Sequence, residues 1–359
     1  MFNDLWHQLG LPALIPPTGS LSLLLAAMAF VAGASESAYA QDKVLNLYSA
    51  RHYQTDEALY ANFTKATGIR INRIEGGEDA LMERIRNEGP NSPADVLITV
   101  DVGRLWRAEA MGLFAAVKSK IIEDRIPANY RDPNGNWFGF STRARIIAYN
   151  KNKLKPSELT SYEDLADPRF KGRICTRSAS HVYNLSLMGS IIGALGEARA
   201  EAWAKGVAAN LARQPKGGDT DQLRAVGAGE CDIAVSNTYY YARLLRSDKA
   251  ADKKLTETVG IIWPNQNNRG THVNISGGGM LKHAPHREAA VRFLEYLVSN
   301  DAQIYFADGN NEWPVATGVV SSNPALRALG SFKADPLNIA VIGKNQPLAQ
   351  KIFDRVGYK

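Results

Sequence analysis

Several features that would have directed the reading elsewhere are missing from this sequence. Its 359 residues hold two cysteines, Cys175 and Cys231, too few for a disulfide-built scaffold or a multi-cysteine metal cluster. There is no Gly-x-Ser-x-Gly nucleophile turn, which removes the usual route to serine hydrolysis. Neither a Walker nor a Rossmann glycine spacing occurs, there is no repeat at a period of about 20–50 residues, and no tract is of low complexity. No run of Lys and Arg interleaved with aromatics marks a nucleic-acid surface. The apolar run 21–32 is too short to span a bilayer comfortably. The first 40 residues contain no Lys or Arg at all.

What is present has the balance of an ordinary globular protein, 45% hydrophobic and 22% charged. The length exceeds what one core usually serves and implies two domains. The run 21–32, followed by Ala38-Tyr39-Ala40, reads as a removed export signal over residues 1–40, although the expected positive start is missing. Residues 41–359 then carry 42 basic and 34 acidic side chains, a net +8. That charge suits a docking surface or an anionic ligand better than nucleic acid. In an oxidising compartment the two cysteines, each at a strand edge, read as a structural disulfide rather than as two separate thiols.

Along the chain, Val44–Tyr48, 69–75 and Ala94–Thr99 read as strands. Between them lie helices over 56–67 (Leu59 and Phe63 at i, i+4, stopped by Gly68) and 78–87 (Leu81 and Ile85). This β-α-β-α-β order implies a parallel sheet covered by helices, with ligand loops after the strands. The long, poorly alternating stretch 137–150 suits a strand crossing between lobes. A second α/β unit follows: a strand over 172–177, a helical region 185–211 broken near Gly196, a short helix 221–227, and a strand ending at Val235. Val259–Trp263 reads as a strand, Ser276–Gly279 as a tight turn, 287–299 as an amphipathic helix, and about 347–356 as the last helix.

The chemistry gathers on Ser236-Asn237-Thr238-Tyr239-Tyr240-Tyr241-Ala242-Arg243. Adjacent helical positions lie about 100° apart, so three tyrosines cannot share one buried face. Either two rings pack and one lies on the surface, or some phenols face a cleft. His52 and Tyr53 follow the first strand, Tyr183 a strand of the second unit, and Tyr239 and Tyr240 another. Facing units would bring one imidazole and four phenols together. Phenolate is a hard anionic donor that suits ferric iron and is a poor choice for Ca²⁺, Mg²⁺ or Zn²⁺. Four phenolates around Fe³⁺ leave about one negative charge, which Arg104, Arg143 or Arg243 would offset from behind the ligands. Asp101 reads as an N-cap or as an acceptor behind them. His181, His272, His283 and His286 read as polar loop residues.

The segments Leu47-Tyr48-Ser49-Ala50-Arg51-His52-Tyr53, Ser92-Pro93-Ala94-Asp95-Val96, Arg177-Ser178 through Tyr183-Asn184, and Asn237-Thr238-Tyr239-Tyr240 together resemble the periplasmic ferric-iron-binding proteins of ABC transporters. The likeness is to the tyrosine-rich branch that includes the cyanobacterial Fut-type proteins, and it spans residues 43–359. It implies a two-lobed α/β binding protein of type II with hinge strands. The lobes would be residues 41–140 plus about 264–312, and about 141–263 plus 313–359. It also implies a monomer in the periplasm that delivers Fe(3+) to an ABC permease, with His52, Tyr53, Tyr183, Tyr239 and Tyr240 as ligands and Tyr241 not among them. Some relatives draw a carboxylate from the loop after the third strand. Val100 occupies that place here, and the resemblance leaves open whether an anion such as carbonate completes the shell. Two other readings compete: a type II binding protein for a small organic ligand, and an exported iron-dependent oxidoreductase. The second lacks a base beside the tyrosines. An iron-sequestering protein without a transporter has the same residues.

Overall fold

The computed structural model describes residues 43–51 and 55–359. The leader expected over residues 1–40 and the expected ligands His52 and Tyr53 lie outside the described residues. Val44–Lys359 forms one compact unit.

The first segment alternates β1 (Val44–Ser49), α1 (Asp56–Thr67), β2 (Arg70–Glu75), α2 (Glu78–Glu88), β3 (Val96–Val100), α3 (Val102–Ala110) and α4 (Lys120–Arg125). Then β4 (Phe138–Asn150) leads through β5 (Ile174–Cys175) to α5 (Val182–Leu195), α6 (Glu197–Ala209), α7 (Asp219–Ala228), β6 (Ile233–Asn237), α8 (Thr238–Leu245), α9 (Ala250–Thr258) and β7 (Val259–Ile262). The chain closes with β8 (Val273–Met280), α10 (Arg287–Leu297), α11 (Asn300–Asn310), β9 (Trp313–Pro314), α12 (Pro324–Ala328) and α13 (Ile339–Val356).

β1 pairs in parallel with both β2 and β3, as the alternating order requires. β8 then inserts antiparallel between β3 and β4. β4 is buried along its whole length because it serves both halves of the sheet. Its residues Phe138–Ala144 pair with β8, and Arg145–Asn150 lie between β6 and β7. One core, around Leu47, Phe63, Phe138 and Phe293, fills the first half, and a second, around Ile147, Ile174, Met188 and Ile233, fills the other. The helix faces are the ones the periodicity gives: Leu59 and Phe63 on α1, Leu81 and Ile85 on α2, and Phe293, Leu294 and Leu297 on α10 are all buried.

Three local expectations fail. Ser276–Gly279 is no turn but the middle of β8. A Cβ on Gly278 would sit 2.5 Å from the Leu97 carbonyl oxygen and one on Gly279 2.1 Å from that of Asn136, so the glycines let neighbouring backbone approach. The last helix starts at Ile339, with Pro347 inside it. Ile342 and Gly343 pack there against the Trp106 side of α3, and this contact outweighs the lost backbone bond that marks proline as a helix start. The strand expected over 172–177 shrinks to two residues, since beyond Cys175 the backbone turns toward α5.

Candidate metal centre

The second half of the sheet delivers the tyrosines. β6 ends at Asn237, whose extended backbone opens α8. Its side chain does not cap the helix. Its N–H donates to the Asp219 carboxylate at 2.7 Å, and its Oδ1 accepts from Arg145 at 3.1 Å. The first turn of α8 therefore starts from a pinned residue. Tyr239 points inward and is 1% exposed, Tyr240 is half-buried, and Tyr241 turns to the opposite side, where its hydroxyl donates to the Val259 carbonyl at 2.7 Å. Tyr241 is thus a structural residue.

Tyr183 comes from the first turn of α5. His181 caps that helix, its Nδ1 accepting the Tyr183 N–H at 3.2 Å, and its ring stands edge-on to the Tyr183 ring at 4.5 Å. The hydroxyls of Tyr183 and Tyr239 lie 3.0 Å apart in a hydrogen bond, and the Tyr239 and Tyr240 rings lie 4.3 Å apart. Two donors about 2.9 Å apart form the edge of an octahedron whose metal–oxygen distance is about 2.0 Å. Two phenol oxygens from separate helices already hold that spacing.

The surroundings are cationic. The guanidiniums of Arg177, Arg145 and Arg143 stand 5.0, 5.8 and 5.9 Å from the Tyr183 ring centre. Two of them share one carboxylate: fully buried Asp219 meets Arg145 at 2.6 Å and Arg177 at 3.1 Å. Arg143 is 1% exposed; among the described residues it makes one long bond, 3.4 Å to the Ser276 hydroxyl, and its Nε and Nη2 find no hydrogen-bond partner. Burial works against its charge, but Glu312, Asp101, Tyr183 and Tyr239 around it raise its pKa further. Burial, helped by the neighbouring Tyr240, pushes the Tyr183 phenol well above its usual value, with Arg143 and the Tyr239 hydroxyl pulling the other way. A metal cation must displace that proton to make Tyr183 a ligand.

The residues expected behind the ligands separate. Asp101 is the N-cap of α3, accepting from Gly103 N–H at 2.9 Å, from the Ser186 hydroxyl at 2.6 Å and from Asn274 at 2.9 Å, in a positive-φ conformation of +81°. Arg143 approaches it at 4.0 Å. Arg104 is committed to Glu78 and to the Val100 carbonyl, so it does not neutralise the phenols directly. Arg243 is exposed and lies 5.7 Å from the Tyr240 ring centre. Cys175 and Cys231 form a disulfide with Cα atoms 5.9 Å apart.

Sequence reasoning missed Arg145, Arg177, Asp219 and Glu312. Arg143-x-Arg145, two charges inside an otherwise uncharged strand, was a readable signal. Glu312, which accepts from Ser141 at 2.6 Å and Ser276 at 3.1 Å, and Asp219 had none. His272 lies just outside β8, as a loop residue would, but it is not solvated: it is 3% exposed, and burial, with Arg145 and Arg143 nearby, pushes its imidazole down to about 3. His181 is likewise engaged, as the cap under Tyr183, and His286 pairs with Asp95 at 3.0 Å. Among the described residues no cluster of three or more His, Cys, Asp or Glu offers an alternative metal site.

Comparison with known proteins places this geometry in context. Residues 91–332 match a family model described as bacterial extracellular solute-binding protein. Iron uptake protein A1 of Synechocystis is 52% identical, over 89% of this chain and 88% of that protein. A solved Trichodesmium FutA in complex with iron and citrate ligands is 55% identical, with a TM-score of 0.85 over 88% of this chain and 100% of that one. The ferric binding protein from Campylobacter jejuni superposes with a TM-score of 0.83 at 45% identity, over 88% of this chain and all of its own.

Proposed function

This chain belongs to the bacterial extracellular solute-binding proteins, and on that footing we propose that it captures ferric iron between its lobes and delivers it to an ABC permease for uptake. It is a transport protein of the periplasm with the two-lobed type II fold, not an enzyme. The observation that carries the reading is the pair of buried phenol oxygens of Tyr183 and Tyr239, 3.0 Å apart inside a ring of arginines, with Tyr240 next in sequence.

The proposed ligands are His52, Tyr53, Tyr183, Tyr239 and Tyr240. Arg143, whose Nε and Nη2 find no hydrogen-bond partner among the described residues at full burial, is suited to a small anion such as carbonate beside the metal. The proposed lobes are residues 41–140 with about 264–312, and about 141–263 with 313–359, turning about β4. Iron binds tightly only where donors from both sides converge, so metal favours the closed form that the permease would recognise. Because burial raises the Tyr183 phenol, protons compete with iron there and falling pH promotes release. Residues 1–40 are proposed as the export leader, and the mature protein as a monomer that binds no nucleic acid.

The test is a visible spectrum of the mature chain titrated with ferric citrate, then reduced with dithionite. A tyrosinate-to-iron charge-transfer band should saturate at one iron per chain, bleach on reduction and collapse in the Tyr239→Phe/Tyr240→Phe double variant. A folded protein that gives no band would sink the iron reading and favour an organic ligand.

A further inference from the structure

Beside Tyr240 the surface is hollowed into a groove of about 530 Å³. One wall is α7 and α8, carrying Arg224, Tyr240 and Arg243, continued by Arg246 and Lys249. The other is the end of α11, with Asn311. Arg246 joins the walls by donating to the Asp308 carbonyl at 2.6 Å and to Asn311 Oδ1 at 3.0 Å. The one lining carboxylate among the described residues, Asp252, accepts the Ser247 hydroxyl at 2.6 Å. Among the described residues, Arg224, Arg243 and Lys249 make no ion pair, so three cations without a carboxylate partner border a concavity whose wall includes a proposed iron ligand. A solvated basic face would not need to be concave or to open onto Tyr240.

Ferric ion at neutral pH hydrolyses unless hard anionic oxygens hold it. Soluble ferric iron therefore travels as a chelate, commonly with net negative charge. Building on the iron reading above, we infer that the groove is the docking site for the chelator: an anion of several carboxylates or phosphates that lies against Arg224, Arg243 and Lys249 while its iron passes to Tyr240 and then inward. The exchange is balanced. One Fe–O(chelator) bond breaks as one Fe–O(phenolate) bond forms, the phenolic proton goes to the released chelator oxygen or to water, and iron stays ferric. The groove raises the local concentration of the negatively charged complex at the half-buried phenol, which is the one donor of the three described that the chelate can reach from outside.

Stopped-flow growth of the charge-transfer band tests this with three iron sources: ferric citrate, ferric pyrophosphate and the uncharged tris(acetohydroxamate) complex. The variant is Arg224→Glu/Lys249→Glu, both positions exposed and outside the proposed ligand set, with a thermal melt to show that it folds. At low ionic strength the variant should load about tenfold more slowly than the unchanged protein from the anionic chelates, as loss of electrostatic focusing predicts. From the neutral complex it should differ by less than about twofold, as it should from all three in 1 M salt, where the screening length is about 3 Å. Final band intensity should be the same throughout. Slowing with citrate alone would assign a polycarboxylate, and with pyrophosphate alone a polyphosphate. Equal slowing from all three sources, or none, would overturn the inference and leave the iron reading standing. A missing band in the unchanged protein would remove both.

Discussion

Tyr239, Tyr240 and Tyr241 stand side by side in sequence and differ in what surrounds each hydroxyl. Tyr241 spends its hydroxyl on the Val259 carbonyl, so Tyr241→Phe should cost about 1 kcal/mol of stability, measured by urea unfolding, because one buried acceptor loses its donor. It should leave the iron band unchanged, in contrast to the paired Tyr239 and Tyr240 substitutions. A Tyr241→Phe protein with a diminished band would mean that the phenol roles are misassigned. The run was legible in the sequence because helical geometry forbids three adjacent rings one common environment. The ion pairs of Asp219 with Arg145 and Arg177 were not, because these residues meet only when β4, α7 and the loop before α5 fold together. His272 shows a related limit: it does lie outside the strands, but only the pairing of β8 beside it buries an imidazole that reads as a solvated loop residue.

At the scale of elements, periodicity was a good guide where one face of a helix is buried and a poor one where backbone packs on backbone. α1, α2 and α10 were readable from i, i+4 pairs. The glycines of β8 were not, since their role is to leave room for the Leu97 and Asn136 carbonyls, and no side-chain pattern records that. Cys175 and Cys231 were readable as a pair from the compartment. The disulfide joins the end of β5 to the residue just before Asp232, which leads into β6, and it closes a loop with a sequence separation of 56. By loop-closure entropy it contributes up to about 4 kcal/mol. The Cys175→Ser/Cys231→Ser variant should therefore unfold about 2–4 kcal/mol more easily in guanidinium and still bind one iron, since neither sulfur reaches the phenols. Loss of iron at full folding would mean that the bridge holds β6 and α8 in register for the metal.

The whole molecule should show acid sensitivity from His272. Its folded pKa, about 3, lies below the unfolded value of 6.5, so between those values the unfolded chain binds the proton and the folded one does not. Its contribution is complete above about pH 6.5 and is lost as pH falls toward 3, at about 1.4 kcal/mol per pH unit. Urea unfolding at pH 7 and pH 5 should show the unchanged protein losing about 2 kcal/mol more than His272→Asn does. Equal losses would mean that the imidazole is solvated or paired in the native state. The division into two halves was legible from length and from the long crossing strand. The shared service of β4 to both was visible only as a lack of alternation over residues 137–150, the mark of a strand buried on both faces.

The order β2-β1-β3-β8-β4 also sets a timetable. The strand that lies between β3 and β4 is residues 273–280, and the same core draws on Phe293 and Phe306. No ribosome-bound fragment that stops before Met280 holds the pieces to close that sheet, whatever its local helices do. Such non-local pairing is slow to form because the loop must be closed before any contact rewards it. A chain that had to cross a membrane unfolded would gain from that delay, because the sheet cannot close until residues 273–280 have joined the rest.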